Sequence, residues 1–259
     1  LGTTSYIYPG EILPNAELLS DIFEEIQLLL FESESHSNIP DQSTIDRLNQ
    51  LGSEKKLHYS IHLPLDTYPG HENEEIRRES VRTIVRIYEI GRAVQCERFV
   101  FHYTSRNPEG KPFSGLTGWR EQLLKSTEEL VAAGIKPNHL CVENLAYPYS
   151  WVSDLVERYG LSKCIDIGHL RVNSFPVSAH LKRHLRETKV IHLHGLNKGV
   201  DHCGLSKSDS RSIRQLFAKV DEFGYHETII LEVFHPDHLV QSLQTFVHYW
   251  KKCQKEKLL

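Results

Sequence analysis

The chain has 259 residues, 39% hydrophobic and 25% charged, with a formal net charge of −4. That length and balance exclude a disordered chain and fit one (β/α)8 barrel or one large α/β domain. The acidic balance is the wrong sign for a nucleic-acid binder, which carries a basic patch or stripe.

Apolar runs such as Leu28 to Phe31 fall far short of the ~20 residues a membrane-spanning helix needs, so no span is expected. The first ten residues, LGTTSYIYPG, lack the basic and apolar regions of a signal peptide and read as a first strand, which makes a cytoplasmic enzyme the expectation. Cys96, Cys141, Cys164, Cys203 and Cys253 show no CxxC spacing, which argues against a disulfide framework and a zinc ribbon and for reduced thiols.

In chain order, short β-rich apolar runs occupy 1–8, 25–32, 57–65, 98–103, 139–145, 163–170, 189–195 and 228–234. Segments of helical period lie between them. NEEIRRESVRTIVRIYEIGRAVQ sets Ile76, Val81, Ile84, Val85, Tyr88 and Ile90 on or near one stripe. GWREQLLKSTEELVAAGI ends at Gly134, SDSRSIRQLFAKVDEFG opens on capping residues and closes on Gly224, and DHLVQSLQTFVHYWKK follows the last strand. Eight strand–helix units in one domain of this length predict a closed (β/α)8 TIM barrel, and no GxGxxG or GxxxxGK[ST] supports a nucleotide-binding sheet.

Barrel chemistry gathers at the C-terminal ends of the strands. Strand three ends with His62, strand four with His102, strand five with Glu143 and Asn144, strand six with Asp166 and His169, strand seven with His192 and His194, and strand eight with Glu232; the loop after strand seven adds Asp201 and His202. A lone histidine on a strand is ordinarily hydrogen-bonded core or surface. Six consecutive strands delivering His, Asp or Glu to one end are better explained by bound metal, since uncompensated carboxylates there would cost several kcal/mol each. Mixed imidazole and carboxylate ligands suit Zn, Mn or Fe.

Cys141 and Cys164 precede Glu143 and Asp166 by two residues and are expected to pack the layer below. His58 shares a face with His62 but is expected deeper in the barrel, and His194, of the same parity as His192, points inward within reach of a substrate. His36, His71, His139, His180, His184, His226, His235, His238 and His248 fall in expected loops or helices, most of them exposed or locally bonded. Tyr6, Tyr8, Tyr68, Tyr103, Tyr147, Tyr149 and Trp151 lie near the mouth, where they could line a pocket for a large flat ligand; for most of them loop packing is the expectation.

These residues resemble the xylose isomerase-like and endonuclease IV superfamily of TIM barrels over the whole chain. The shared Glu, Asp, His, Glu metal set of that superfamily falls on Glu143, Asp166, His192 and Glu232. The extra positions of the endonuclease IV type are also present, so the resemblance implies two or three divalent metal ions, most simply Zn or Mn. His62, His102 and Glu143 would hold one; Glu143, Asp166, His192 and Glu232 a second; His169, Asp201 and His202 a third. Asp201 and His202 are adjacent, whereas the family usually has a residue between them.

GTTSYIYPGEILPN, LLLFES and HLPLD further resemble the cobamide-remodelling phosphodiesterases known as CbiR. That resemblance implies a small-molecule corrinoid substrate and metal-assisted hydrolysis of its phosphoribosyl linkage, leaving cobinamide phosphate. Glu143 would act as bridging ligand and Glu232 as ligand and proton acceptor. Three alternatives stay open: a single-metal sugar isomerase or epimerase in which Glu143 and Glu232 move a proton, an abasic-site endonuclease opposed by the acidic balance, and a non-catalytic corrinoid carrier.

Overall fold

The computed structural model describes residues 1–32, 37–105 and 115–256; His36 lies outside them. The expected barrel is present. Its strands are β1 (Gly2–Thr4), β2 (Glu25–Leu29), β3 (His58–His62), β4 (Phe99–Phe101), β5 (Leu140–Glu143), β6 (Ser162–Asp166), β7 (Thr188–Leu193) and, after a short hairpin of β8 (Gly195–Asn197) and β9 (Val200–Cys203), β10 (Thr228–Leu231). The closed order is β1-β10-β7-β6-β5-β4-β3-β2, and every barrel pair is parallel. The hairpin is a separate antiparallel pair over the strand ends. Among the described residues no helix is long and apolar enough to cross a membrane.

The helices are α1 (Ile12–Leu19), α2 (Gln42–Lys55), α3 (Glu74–Ala93), α4 (Gly115–Ala132), α5 (Ser153–Tyr159), α6 (Ile167–Val172), α7 (Val177–His184), α8 (Ser210–Phe223) and α9 (Pro236–Glu256). α3 starts where Asn73 accepts hydrogen bonds from the Glu75 and Ile76 N–H groups, with Glu74 and Glu75 complementing the positive end of the helix dipole. Its buried face holds Val81, Ile84, Ile87 and Tyr88, each aliphatic member stabilising by ~1.5–3 kcal/mol. Ile87 joins that stripe while Val85 and Ile90 pack half-buried beside it, and at Gly91, one turn on, the helix presses against Phe99 of β4: a Cβ there would lie 2.3 Å from the Phe99 ring. α8 closes on Gly224 at φ 60, as its sequence implies.

Between strands and helices runs one apolar core, while inside the barrel Val100, Cys141, Cys164, Val190 and Ile230 form a smaller layer. The two inward cysteines thus pack as expected. All five cysteines are free.

The strands stop short of the ends their sequence predicts. The run through residue 170 ends at Asp166, whose side chain accepts the His169 N–H at 2.7 Å and caps α6, so His169 rises from the first turn of a helix rather than from a strand. His102 and Glu232 stand one residue beyond β4 and β10. Asp201 and His202 belong to β9 rather than to an open loop. His58, expected deep inside, is exposed at the opposite end of the barrel.

Candidate metal centre

Parallel pairing brings the inward residues of successive strands to one level, and the six strands from β3 to β7 and β10 set His62, His102, Glu143, Asp166, His192 and Glu232 around the barrel axis. Glu143 is the hub, at only 1% exposure. Its Oε2 accepts from His102 Nε2 at 3.0 Å and lies 3.4 Å from His62 Nε2. Its Oε1 lies 3.3 Å from His169 Nδ1 and 3.4 Å from His192 Nδ1. One carboxylate therefore faces four imidazoles.

On the other side of Glu143, His192 Nδ1 faces Glu232 Oε2 at 3.2 Å and Asp166 Oδ2 at 3.9 Å. Possible ligand atoms of Glu143, Asp166, His192 and Glu232 lie within 4.8 Å of one another, and so do those of His62, His102 and Glu143. The Cys164 sulfur reaches the same distance of Glu143 and His192, so its packing role extends to the floor of the site. Asn144, read from sequence only as polar, bridges two strands: its Oδ1 accepts the Asp166 N–H at 2.9 Å and its Nδ2 donates to the Asp166 carbonyl at 3.0 Å.

The electrostatics follow from packing three carboxylates among imidazoles. Burial works against the charged form of Glu143, but His192 and His102 outweigh it and hold the acid well below the usual range. Glu232 is also held low against burial, chiefly by His192. Burial would depress His169 too, yet the Asp166 and Glu143 carboxylates lift it to about 10, and Cys164, Glu232 and Glu143 keep His192 well above its ordinary value against burial. His102 is the exception: burial wins there and lowers it. A cation entering such a site would displace protons from its imidazoles.

Asp201 is 41% exposed, with its carboxylate 4.0 Å from His169 Nε2. The group formed with His169 and His202 instead includes His194, the residue left with an undecided role by strand parity. His202 sits at φ 50, a strained conformation for a non-glycine residue that turns its ring back onto the site.

The mouth is a cavity of about 350 Å³ whose lining combines His62, His102, Glu143, His169, His202 and Glu232 with the apolar Tyr6, Leu29, Phe31, Leu63, Leu65 and Phe234. Of the seven aromatic residues considered from sequence, Tyr6 lines it, whereas Tyr103, Tyr147 and Tyr149 are buried packing residues. A larger crevice of about 690 Å³ at the opposite end, around Lys163, Glu187 and Glu227, is reached by none of the candidate ligands. Of the histidines expected outside the site, His139 and His184 prove buried, bonded to Tyr88 Oη at 3.2 Å and Lys163 Nζ at 3.1 Å.

A protein-family model described as xylose isomerase-like TIM barrel matches residues 17–253. The chain belongs to that family. Among solved structures, this xylose isomerase-like barrel is similar to a D-tagatose 3-epimerase-like protein (18% identity, 98% of each chain, TM-score 0.79). It is also similar to endonuclease IV from Thermus thermophilus (18% identity, 97% of this chain and 98% of that one, TM-score 0.71). A third neighbour is 3-keto-D-glucoside 4-epimerase from E. coli (14% identity, 96% and 98%, TM-score 0.70). At these identities the likeness shows the fold alone. No curated protein matches this barrel by sequence.

Proposed function

We propose that this barrel is a metal-dependent phosphoesterase that hydrolyses the phosphoribosyl linkage of a cobamide. The observation that carries the reading is Glu143 shared between two ligand sets, with His62 and His102 on one side and Asp166, His192 and Glu232 on the other. A single-metal site would have no use for the first pair. The donor set fits divalent cations: buried carboxylates and imidazoles converge, and Glu232 Oε2 is buried without a hydrogen bond. A third ion would rest on His169 and His202, with Asp201 moving inward.

Bound divalent ions supply hydroxide at neutral pH and neutralise charge on a phosphate. The chain's own residues do the rest. Glu143 and Asp166 orient the cluster, and Glu232 accepts the proton of the attacking water on Oε2. Water adds across the bond between phosphate and ribose; phosphate stays with the corrinoid, and the lower base departs as its riboside with the proton on the ribose oxygen. The apolar residues Tyr6, Leu29, Phe31, Leu63, Leu65 and Phe234 at the cavity offer contact to the flat face of a ring system, which a sugar would use less fully. With the resemblance of the N-terminal, LLLFES and HLPLD segments, that contact favours a corrinoid.

The second reading is a sugar epimerase, favoured by the two epimerase-type neighbours and by Glu143 and Glu232 flanking His192. The deciding experiment is elemental metal content on untagged protein, followed by incubation with a cobamide and mass spectrometry. Two or three metals per chain and cobinamide phosphate as product support the phosphoesterase. One metal per chain, with ketohexose turnover and no cobamide cleavage, supports the epimerase instead.

A further inference from the structure

His194 is fully buried at the rim of the cluster, within reach of His169 and His202. Its Nδ1 accepts the backbone N–H of His202 at 2.9 Å. A ring nitrogen that accepts carries no proton, so the proton of the neutral ring is on Nε2. That nitrogen lies 3.1 Å from Oδ1 and 3.2 Å from Oδ2 of Asp166. The Gly195 carbonyl, 3.3 Å from Nδ1, receives no proton in this tautomer.

Although His194 lies close to His169 and His202, it is badly placed to share an ion with His202. The two rings stack with centroids 4.2 Å apart and planes inclined by 28°. A cation lies in the plane of each imidazole that binds it, and planes so nearly parallel do not converge within the ~2 Å of a metal–nitrogen bond. The backbone also makes room for the ring. A Cβ at Gly168 would fall 1.9 Å from His194 Cε1, so the glycine of Asp-Ile-Gly-His is what admits the imidazole beneath α6.

We propose that His194 is a positioning residue, whose Nε2–H orients the Asp166 carboxylate while its Nδ1 ties the hairpin carrying His202 to the barrel. The proposal deepens the metal-centre reading above and rests on it for the role of Asp166. Outer hydrogen bonds of this kind fix the orientation of a ligating carboxylate, and their loss costs about 10–100-fold in metal affinity. The capping N–H of His169 also holds Asp166 Oδ1, at 2.7 Å. Asp166 Oδ2 also faces His169 Nδ1 at 3.6 Å and His192 Nδ1 at 3.9 Å.

The test compares His194→Ala, His194→Gln and Gly168→Ala with the wild-type protein, by competition with a calibrated chelator for Zn²⁺ and by elemental analysis at saturating Zn²⁺. Expected are about 10–100-fold weaker binding in His194→Ala and Gly168→Ala with full stoichiometry at saturation, and recovery of most of that loss by His194→Gln, whose amide can donate to Asp166. Wild-type affinity in His194→Ala, or loss of a whole equivalent at saturation, overturns the proposal; the second outcome would make His194 a ligand. Should the variants not fold, ¹⁵N NMR of the wild-type imidazoles decides, on both metal-free protein at pH 8.5 and Zn²⁺-loaded protein. Protonation at Nε2 of His194 supports the proposal, and protonation at Nδ1 overturns it. A wild-type protein that binds no metal would sink the metal-centre reading, while the NMR signature would still report on the His194–Asp166 contact.

Discussion

Replacing Glu143 by Gln removes one negative charge from a position that faces four imidazole nitrogens at 3.0 to 3.4 Å and leaves the shape almost unchanged. The amide keeps one oxygen as ligand and turns an N–H₂ toward whichever imidazoles faced the other. Disturbing a mere outer-shell partner costs up to about 100-fold in metal affinity, or ~2.8 kcal/mol, so a bridging ligand should lose at least that at each of the two sites it joins. Dialysis of wild-type and Glu143→Gln protein against a chelator-buffered Zn²⁺ series, with elemental analysis at each point, measures the loss. Far-UV circular dichroism on the same samples checks the fold. A Glu143→Gln protein that holds as many ions as wild type, at the same free Zn²⁺, would refute the shared-ligand argument.

Three further outcomes follow from other parts of the molecule. His184, held unprotonated to about 3 by burial, His180 and Lys163, takes up no proton on folding between that value and 6.5, whereas the unfolded chain does. Stability should therefore fall as pH drops from 6.5, by up to ~1.4 kcal/mol per pH unit from this group; urea unfolding at pH 7, 6 and 5 should show a shallower slope for His184→Gln, and parallel slopes would contradict it. Gly91→Ala drives a Cβ into Phe99 and should cost about 1–3 kcal/mol, read as a lower thermal midpoint at unchanged metal content. Tyr6→Ala removes an aromatic face from the cavity and should raise KM for a cobamide about 10–100-fold while metal content stays the same; an unaltered KM would separate the apolar lining from substrate binding.

Much of the candidate centre was legible because a parallel barrel obeys simple parity. Glu143 and His192 point inward for the same reason that Cys141 and Val190, two residues earlier, do. The hidden parts depended on geometry that no local pattern carries. α5, α6 and α7 run six to eight residues, about two turns, too few for a hydrophobic period to emerge. The β8–β9 hairpin is short, polar and turned at Lys198 and Gly199 by positive φ, so it reads as loop. The hydrogen bonding of His194 depends on a backbone N–H eight residues away and on the missing side chain of Gly168. Charged residues inside the packing layer were equally invisible: Arg77, fully buried, bonds Glu74, Glu129 and Ser126 from the first turn of α3.

The junction of β6 with α6 has no connecting loop: Asp166 ends the strand and caps the helix, and His169 follows within the first turn. The separation of these two side chains is therefore measured by helix pitch, whereas the other members of the cluster are held at distances set by the closure of the barrel. Asp166 and His169 form a rigid ruler across the mouth, and a single residue inserted between them would swing the histidine by ~100° about the helix axis.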